Sequence, residues 1–255
     1  MSKLVLNRRR LLGGLGVATT GLALSGCDAL NTSPAVRSVL TGAEKVHYGL
    51  QRTITDRNAL SHEYRPSERS PFFRPNGTQN PDVPTYQAAV ANDFADWQLV
   101  VDGLVARPAA YGLDQLRSMP QRTQITRHDC VEGWSAIGQW TGVPLALLLR
   151  LSGLSDRARF IVFHCADMYS GNPYYESVDL VDAFHPQSII AHRLNDDPLP
   201  VMNGAPLRLR VERQLGYKNA KFLKRIEAVD SFERIGAGGG GTWEDLADYA
   251  WYAGI

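Results

Sequence analysis

The residues with the clearest chemical promise surround Cys130, in the run Thr126-Arg127-His128-Asp129-Cys130-Val131-Glu132-Gly133-Trp134-Ser135. A thiol beside charged groups can be a nucleophile, a soft metal ligand or a small core filler. The first two need the thiolate, which nearby cations favour; Arg127 and His128 are the adjacent candidates. If Gln124 to Arg127 is a strand leading into Cys130, His128 and Cys130 share one face. A Cys–His hydrolase using His128, His164, His185 or His192 is conceivable, but no oxyanion loop is recognisable. A lone cysteine taken by itself is most often structural. The chain has three cysteines, Cys27, Cys130 and Cys165, and in an oxidising compartment the last two could pair. There is no Cys-x-x-Cys-His haem motif, no zinc-type cluster and no Gly-x-Ser-x-Gly elbow.

The N-terminus reads as an address. Asn7-Arg8-Arg9-Arg10-Leu11-Leu12 is a twin-arginine pattern, followed by a weakly apolar, Gly-rich stretch and then the lipobox Leu24-Ser25-Gly26-Cys27. This predicts an exported protein lipidated at Cys27, with Asp28 favouring retention at the inner membrane. The formal net charge is +1, but Lys3, Arg8, Arg9 and Arg10 belong to the address. A mildly acidic body without a basic stripe argues against nucleic acid as a partner.

The elements that must position Cys130 come next. Ser33-Pro34 opens a helix whose apolar residues Val36, Val39, Leu40, Ala43, Val46 and Leu50 recur at three and four; it is expected to pack on the body or near the membrane. Residues 56 to 95 are polar and proline-broken. Trp97 to Gly103 alternates as a strand, and Tyr111 to Met119 reads as a short helix. Pro144 to Leu151 is an apolar helix stopped by Gly153. Arg159 to His164 is a buried strand that delivers Cys165, and Val178 to Phe184 a short helix. Ile189 to Leu194 and Leu199 to Met202 flank the turn Asn195-Asp196-Asp197-Pro198 as a hairpin. Leu207 to Val211 and Phe222 to Val229 are further strands. Gly236 to Gly241 lacks the Lys and Ser/Thr of a phosphate loop and reads as a flexible connection. The aromatic tail after it, with Trp243, Tyr249, Trp251 and Tyr252, is expected to pack back on the body.

Several ordered blocks add a resemblance. Asp129 to Ser135, Trp140-Thr141-Gly142-Val143-Pro144-Leu145, Glu176-Ser177-Val178, Ala183-x-His185-Pro186, Asn203-Gly204-Ala205-Pro206-Leu207-Arg208-Leu209 and Gly216-Tyr217-Lys218-Asn219-Ala220-Lys221 resemble the sulfite-oxidase-type molybdopterin-binding family. The likeness spans roughly residues 68 to 230. It implies an α+β, mixed-sheet, single-domain fold and a molybdenum–molybdopterin cofactor with Cys130 as metal ligand. The domains would be an address at 1–26, a lipid-anchored tether and helix at 27–66, the cofactor domain at 67–235 and a Gly-rich, aromatic end at 236–255.

By the same resemblance Phe73, Arg74 and Asn76 form a pterin-contact turn. Cys165 and Asn203 lie near the pterin. Arg208 and Lys221, with the amides of Asn219 and Ala220, hold its phosphate. Tyr174 falls at the active-site tyrosine. Val131-Glu132-Gly133-Trp134 stands where sulfite oxidases carry an Asn-Arg-Arg type segment, and Asn203 where they usually carry His. Both departures resemble the branch of periplasmic methionine sulfoxide reductase catalytic subunits. The implied reaction is two-electron oxygen-atom transfer on a small or protein-bound sulfoxide. A sulfite oxidase or dehydrogenase taking a sulfur oxyanion, or a non-catalytic lipoprotein on the same fold, are the alternatives. Electrons would pass to or from a separate membrane haem b protein or cytochrome c, with no haem in this chain. A monomer is implied, since only about 25 residues follow position 230 and no dimerisation domain is present.

Overall fold

A computed structural model describes residues 33–255. The twin-arginine pattern and the lipobox with Cys27 lie outside the described residues. The chain divides into one unit ending at Ile54 and a second, Thr55–Ile255. Helix α1, Pro34–Ile54, constitutes the described part of the first. Its apolar residues Val39, Leu40, Val46 and Leu50 are exposed. No helix among the described residues is long and apolar enough to cross a membrane.

The second unit is α+β, with two five-stranded sheets. Its elements run α2 (Pro84–Ala91), β1 (Gln98–Gly103), β2 (Ala109–Gly112), α3 (Leu113–Ser118), β3 (Arg122–Cys130), β4 (Trp134–Pro144), α4 (Leu145–Ser152), β5 (Phe160–Tyr169), β6 (Asn172–Asp179), α5 (Leu180–Ala183), β7 (Ile189–Leu194), β8 (Asp197–Pro198), β9 (Arg208–Arg210), β10 (Leu223–Val229) and α6 (Thr242–Ala247). One sheet has the order β2-β1-β10-β5-β6; the other runs β3-β4-β7-β8, with β9 also paired to β7. Strands β1 and β10 are parallel, and the remaining ladders are antiparallel. The main core joins Leu99 and Val101 of β1, Leu145, Leu148 and Leu149 of α4, Ile161 and Phe163 of β5 and Leu223 and Ile226 of β10. These branched and aromatic residues recur at period two in the strands, so one side of each strand is apolar.

Several expectations need correction. Residues 56 to 95 contain helix α2, which Pro84 starts at its first turn. Tyr111 lies in strand β2, not in a helix; only Leu113–Ser118 is helical. Val178 lies in strand β6, and the helix there is the single turn Leu180–Ala183. The hairpin at 189–198 is real, but its turn is the two residues Asn195 and Asp196, both at positive φ. Its return strand is therefore Asp197–Pro198, and Val201–Asn203 is a 3₁₀ turn. The Gly-rich segment is pinned rather than loose. Asp245 accepts from the amides of Ala237 and Gly239, and the Ser177 hydroxyl bonds the Gly240 carbonyl.

Candidate active site

Strand β3 brings the chemistry into place. Its inward positions are Gln124, Thr126, His128 and Cys130, all buried, while Arg127 faces out. His128 and Cys130 thus share a face, as the strand period requires. Cys130 ends the strand at a tight turn, where Gly133 takes φ 84° and its amide bonds the Cys130 carbonyl at 3.0 Å.

Across this hairpin, β4 turns Ala136, Gly138 and Trp140 inward. Gly138 has no side chain because the Phe73 ring occupies that space; a Cβ there would lie 2.8 Å from Phe73 Cδ2. Phe73 in turn meets Trp140 edge-on at 5.0 Å. Two arginines of β9 stack on the buried Trp140 ring, Arg210 at 4.5 Å and Arg208 at 5.3 Å. Arg210 pairs with Glu212 at 2.6 Å and donates to His128 Nδ1 at 2.9 Å.

That bond makes Nδ1 an acceptor, so His128 carries its proton on Nε2. Burial, then the charges of Arg210 and Arg208, hold its pKa well below the usual imidazole value. His128 is neutral at pH 7 and does not supply positive charge to the thiol. Arg127 does not either; it is exposed and paired with Asp129. The cations that act favourably on Cys130 are Arg208 and Arg74. Burial nevertheless raises the thiol pKa, opposed by a bond from the Glu132 backbone.

Cys130 opens on a cleft with about 680 Å3 of empty volume, its mouth included. Of the residues expected at the site, Asn76, Cys130, Tyr174, Asn219, Ala220 and Lys221 line it. Arg208 stands behind this wall, fully buried, donating to the Asn203 carbonyl at 3.0 Å and to Asn76 Oδ1 at 3.3 Å. Asn203 is buried and bonds the Phe73 carbonyl at 3.4 Å. Arg74 is exposed, over the Trp134 ring at 5.5 Å. Cys165 belongs to the apolar core, where burial raises its thiol pKa well above the usual value. Both Cys130 and Cys165 are free thiols, so no disulfide joins them.

Lys221 donates to the carbonyls of Asn76 at 2.6 Å and Met202 at 3.2 Å, and to that of Thr78. Gly204 permits this, at φ 114°, because a Cβ there would lie 2.8 Å from Lys221 Cβ. Burial, then Arg208, lowers the Lys221 pKa to about 7. Burial likewise lowers Arg208 to about 9. The Asn219 amide is committed to the Gly216 carbonyl at 3.1 Å, so in this arrangement it does not point at a phosphate. Tyr174 OH reaches the Tyr217 carbonyl at 3.4 Å, and burial raises its pKa well above the phenol value.

Sequence reasoning missed Asp167, Arg210 and the aromatic residues of the cleft. Asp167 lines the cleft where the β5–β6 ladder breaks between His164 and Met168, and burial raises its pKa to about 6. Arg210 was signalled by Arg208-Leu209-Arg210 inside a predicted strand, where alternation turns both arginines to one side.

Buried polar atoms around this floor with no partner among the described residues include Asp167 Oδ1, His128 Nε2, Trp140 Nε1 and Arg208 Nε. Buried polar groups are rarely left so. A soft thiol, two cations and unsatisfied donors suit an anionic, metal-bearing group held through sulfur. Among the described residues no cluster of His, Cys, Asp and Glu could cage a metal ion unaided.

The family described as "oxidoreductase molybdopterin binding domain" matches residues 86–234. A putative protein-methionine-sulfoxide reductase subunit of Azospira oryzae is 36% identical over 98% of this chain and 86% of its own length. The protein-methionine-sulfoxide reductase catalytic subunit MsrP of Xanthomonas campestris is 30% identical over 98% of this chain and 77% of its own. The solved sulfane dehydrogenase SoxCD of Paracoccus pantotrophus overlaps 55% of this chain and 40% of its own, with 23% identity and a TM-score of 0.49.

Proposed function

We infer the function from one premise: the chain belongs to the oxidoreductase molybdopterin-binding domain family and is a molybdenum-dependent oxidoreductase. Within that family, the proposed activity is reduction of a sulfoxide at a centre whose protein ligand is the Cys130 sulfur. When bound, the molybdenum cofactor supplies two-electron oxygen-atom transfer. The overall reaction takes a sulfoxide, two electrons and two protons to a thioether and water.

The observation that carries the choice of a neutral sulfoxide is the charge of the cleft. Its ionisable lining includes the carboxylates of Glu132 and Asp167, and its one cationic side chain among the described residues is Lys221. With the pterin phosphate held there, that side chain would already be taken. A sulfite dianion would be desolvated there with no free cation to receive it, at a cost of several kcal/mol. A neutral S=O dipole incurs far less.

The chain's own residues divide the remaining work. Cys130 would hold the metal from the end of β3. Arg208 and Lys221 would hold the pterin phosphate, Lys221 giving up one of its carbonyl partners. Asn76, Asn203, Phe73 and Arg74 would contact the pterin, with Cys165 of the apolar core near it. Tyr174, whose raised pKa keeps it protonated, would turn its hydroxyl from the Tyr217 carbonyl to donate a hydrogen bond to the substrate oxygen.

Export by the twin-arginine route, lipidation at Cys27 and a periplasmic place at the inner membrane belong to the same proposal, supported by the N-terminal sequence. A separate haem protein would deliver electrons; the subunit names of the relatives support an assembly. The test is a substrate panel with a reduced viologen dye as donor and a ferricyanide assay for sulfite. Turnover of methyl sulfoxides without sulfite oxidation is expected. Sulfite oxidation alone would overturn the reading.

A further inference from the structure

The family match ends at residue 234, yet part of the cleft is built from residues beyond it. Trp243 and Tyr249 both line the cleft. They form one continuous aromatic surface with Tyr169 and Tyr217. Tyr169 meets Trp243 at 4.7 Å, Trp243 stacks on Tyr249 at 5.8 Å and 24°, and Tyr249 meets Tyr217 at 5.1 Å. Trp243 and Tyr249 are only partly buried, so their rings keep open faces.

This surface is anchored. Thr242 exchanges bonds with the Tyr175 backbone at 2.9 and 3.1 Å, and Asp245 accepts from Tyr175 OH at 2.6 Å. Beneath it, Lys218 joins Glu176 at 2.7 Å and Glu244 at 2.5 Å, all three buried. Farther along, Tyr217 OH bonds the Ala250 carbonyl at 2.5 Å, and the Leu215 amide bonds the Ala253 carbonyl at 2.9 Å. The segment that carries Trp243 and Tyr249 is thus held before any ligand arrives, which lowers the cost of ordering on binding.

We propose that Trp243 and Tyr249 are the specificity-determining residues of this enzyme, selecting neutral methyl sulfoxides that carry an extended alkyl or aryl arm. The inference rests on the sulfoxide reading above and deepens it. A sulfoxide sulfur bears partial positive charge and attracts aromatic faces, as cations and thioether sulfurs do. The organic arm covers ring surface that would otherwise face water. Dimethyl sulfoxide has no arm to place there.

The test uses the full-length, cofactor-loaded protein with reduced methyl viologen. The substrates are methyl p-tolyl sulfoxide, N-acetyl-methionine sulfoxide amide and dimethyl sulfoxide. Trp243→Ala and Tyr249→Ala should each raise KM for the two armed substrates about tenfold, with kcat within about threefold of wild type. KM for dimethyl sulfoxide should stay within about threefold, and Trp243→Phe should recover most of the loss. Molybdenum per chain verifies assembly, and Trp243→Leu replaces the alanine form where that does not accumulate. Unchanged KM ratios in fully loaded variants, or a wild type indifferent to the arm, would overturn the proposal while leaving sulfoxide reduction standing. A wild type that reduces no sulfoxide would overturn both.

Discussion

At the scale of single residues, Cys130 and Lys221 do different work and should fail differently. Cys130→Ala removes one small sulfur from the end of a strand that His128, Arg210 and Glu212 also hold. The variant should fold, with thermal melting within about 5 °C of wild type, and lose at least a hundredfold in kcat; steady-state rates beside circular dichroism check both. Lys221→Ala should instead lower molybdenum occupancy after dialysis. It also changes pH dependence in the cofactor-free protein. Lys221 titrates near 7 in the fold against 10.5 in its ordinary state. Between those values the unfolded chain binds a proton that the folded chain has released. Stability from this residue therefore rises with pH from about 7 to about 10 and is lost as pH falls through 7. Urea unfolding at pH 7 and 9 should show a smaller rise in Lys221→Ala than in wild type.

Secondary-structure elements tell where the sequence was readable. Strand β1, helix α4 and the chain from Phe222 to Val229 announce themselves through regular apolar spacing. Strand β4 does not, because its inward positions include Ala136, Gly138 and Gly142, which carry no apolar signal. Those small residues are there for what crosses them, the Phe73 ring and the backbone of β7. A Cβ on Gly142 would collide with the Ile190 carbonyl at the point where the β4–β7 register shifts. Gly142→Ala should therefore cost about 1–3 kcal/mol, more than a surface substitution, as the shift in urea midpoint would show. The site followed the same pattern. Cys130, Asn203, Arg208 and Lys221 sit in ordered motifs and could be found. Asp167 reaches the cleft only because a ladder breaks, and Trp243 and Tyr249, legible as an aromatic tail packing on the body, reach the cleft by tertiary packing that no local pattern announces.

The molecule as a whole carries a buried ionic device. Lys218 lies between Glu176 and Glu244, joining β6 to the C-terminal segment. Burial pulls the lysine pKa down, but the two carboxylates hold it above its usual value. Burial and then Glu244 push Glu176 well above the carboxyl range. Removing one partner from such a group leaves uncompensated charge in the interior. Lys218→Met should cost about 3–5 kcal/mol, whereas the triple change Lys218→Met, Glu176→Gln, Glu244→Gln should cost much less. Chemical denaturation of the single and triple variants makes the comparison. The same single variant should loosen Trp243 and Tyr249, and so raise KM for armed sulfoxides.

Strand β10 stands between β1 and β5, although it is the last strand of the described chain. Its parallel partner, β1, precedes it by more than 120 residues. During synthesis the first sheet therefore has a gap at its centre until nearly the whole chain has emerged. Contacts so distant in sequence close slowly. The turn Asn219-Ala220-Lys221 leads directly into that strand, so the cleft reaches its final shape in the same late event. The Cys130 hairpin is built from neighbouring residues, whereas the opposite wall of the cleft waits for chain that runs from Asn219 to Tyr249.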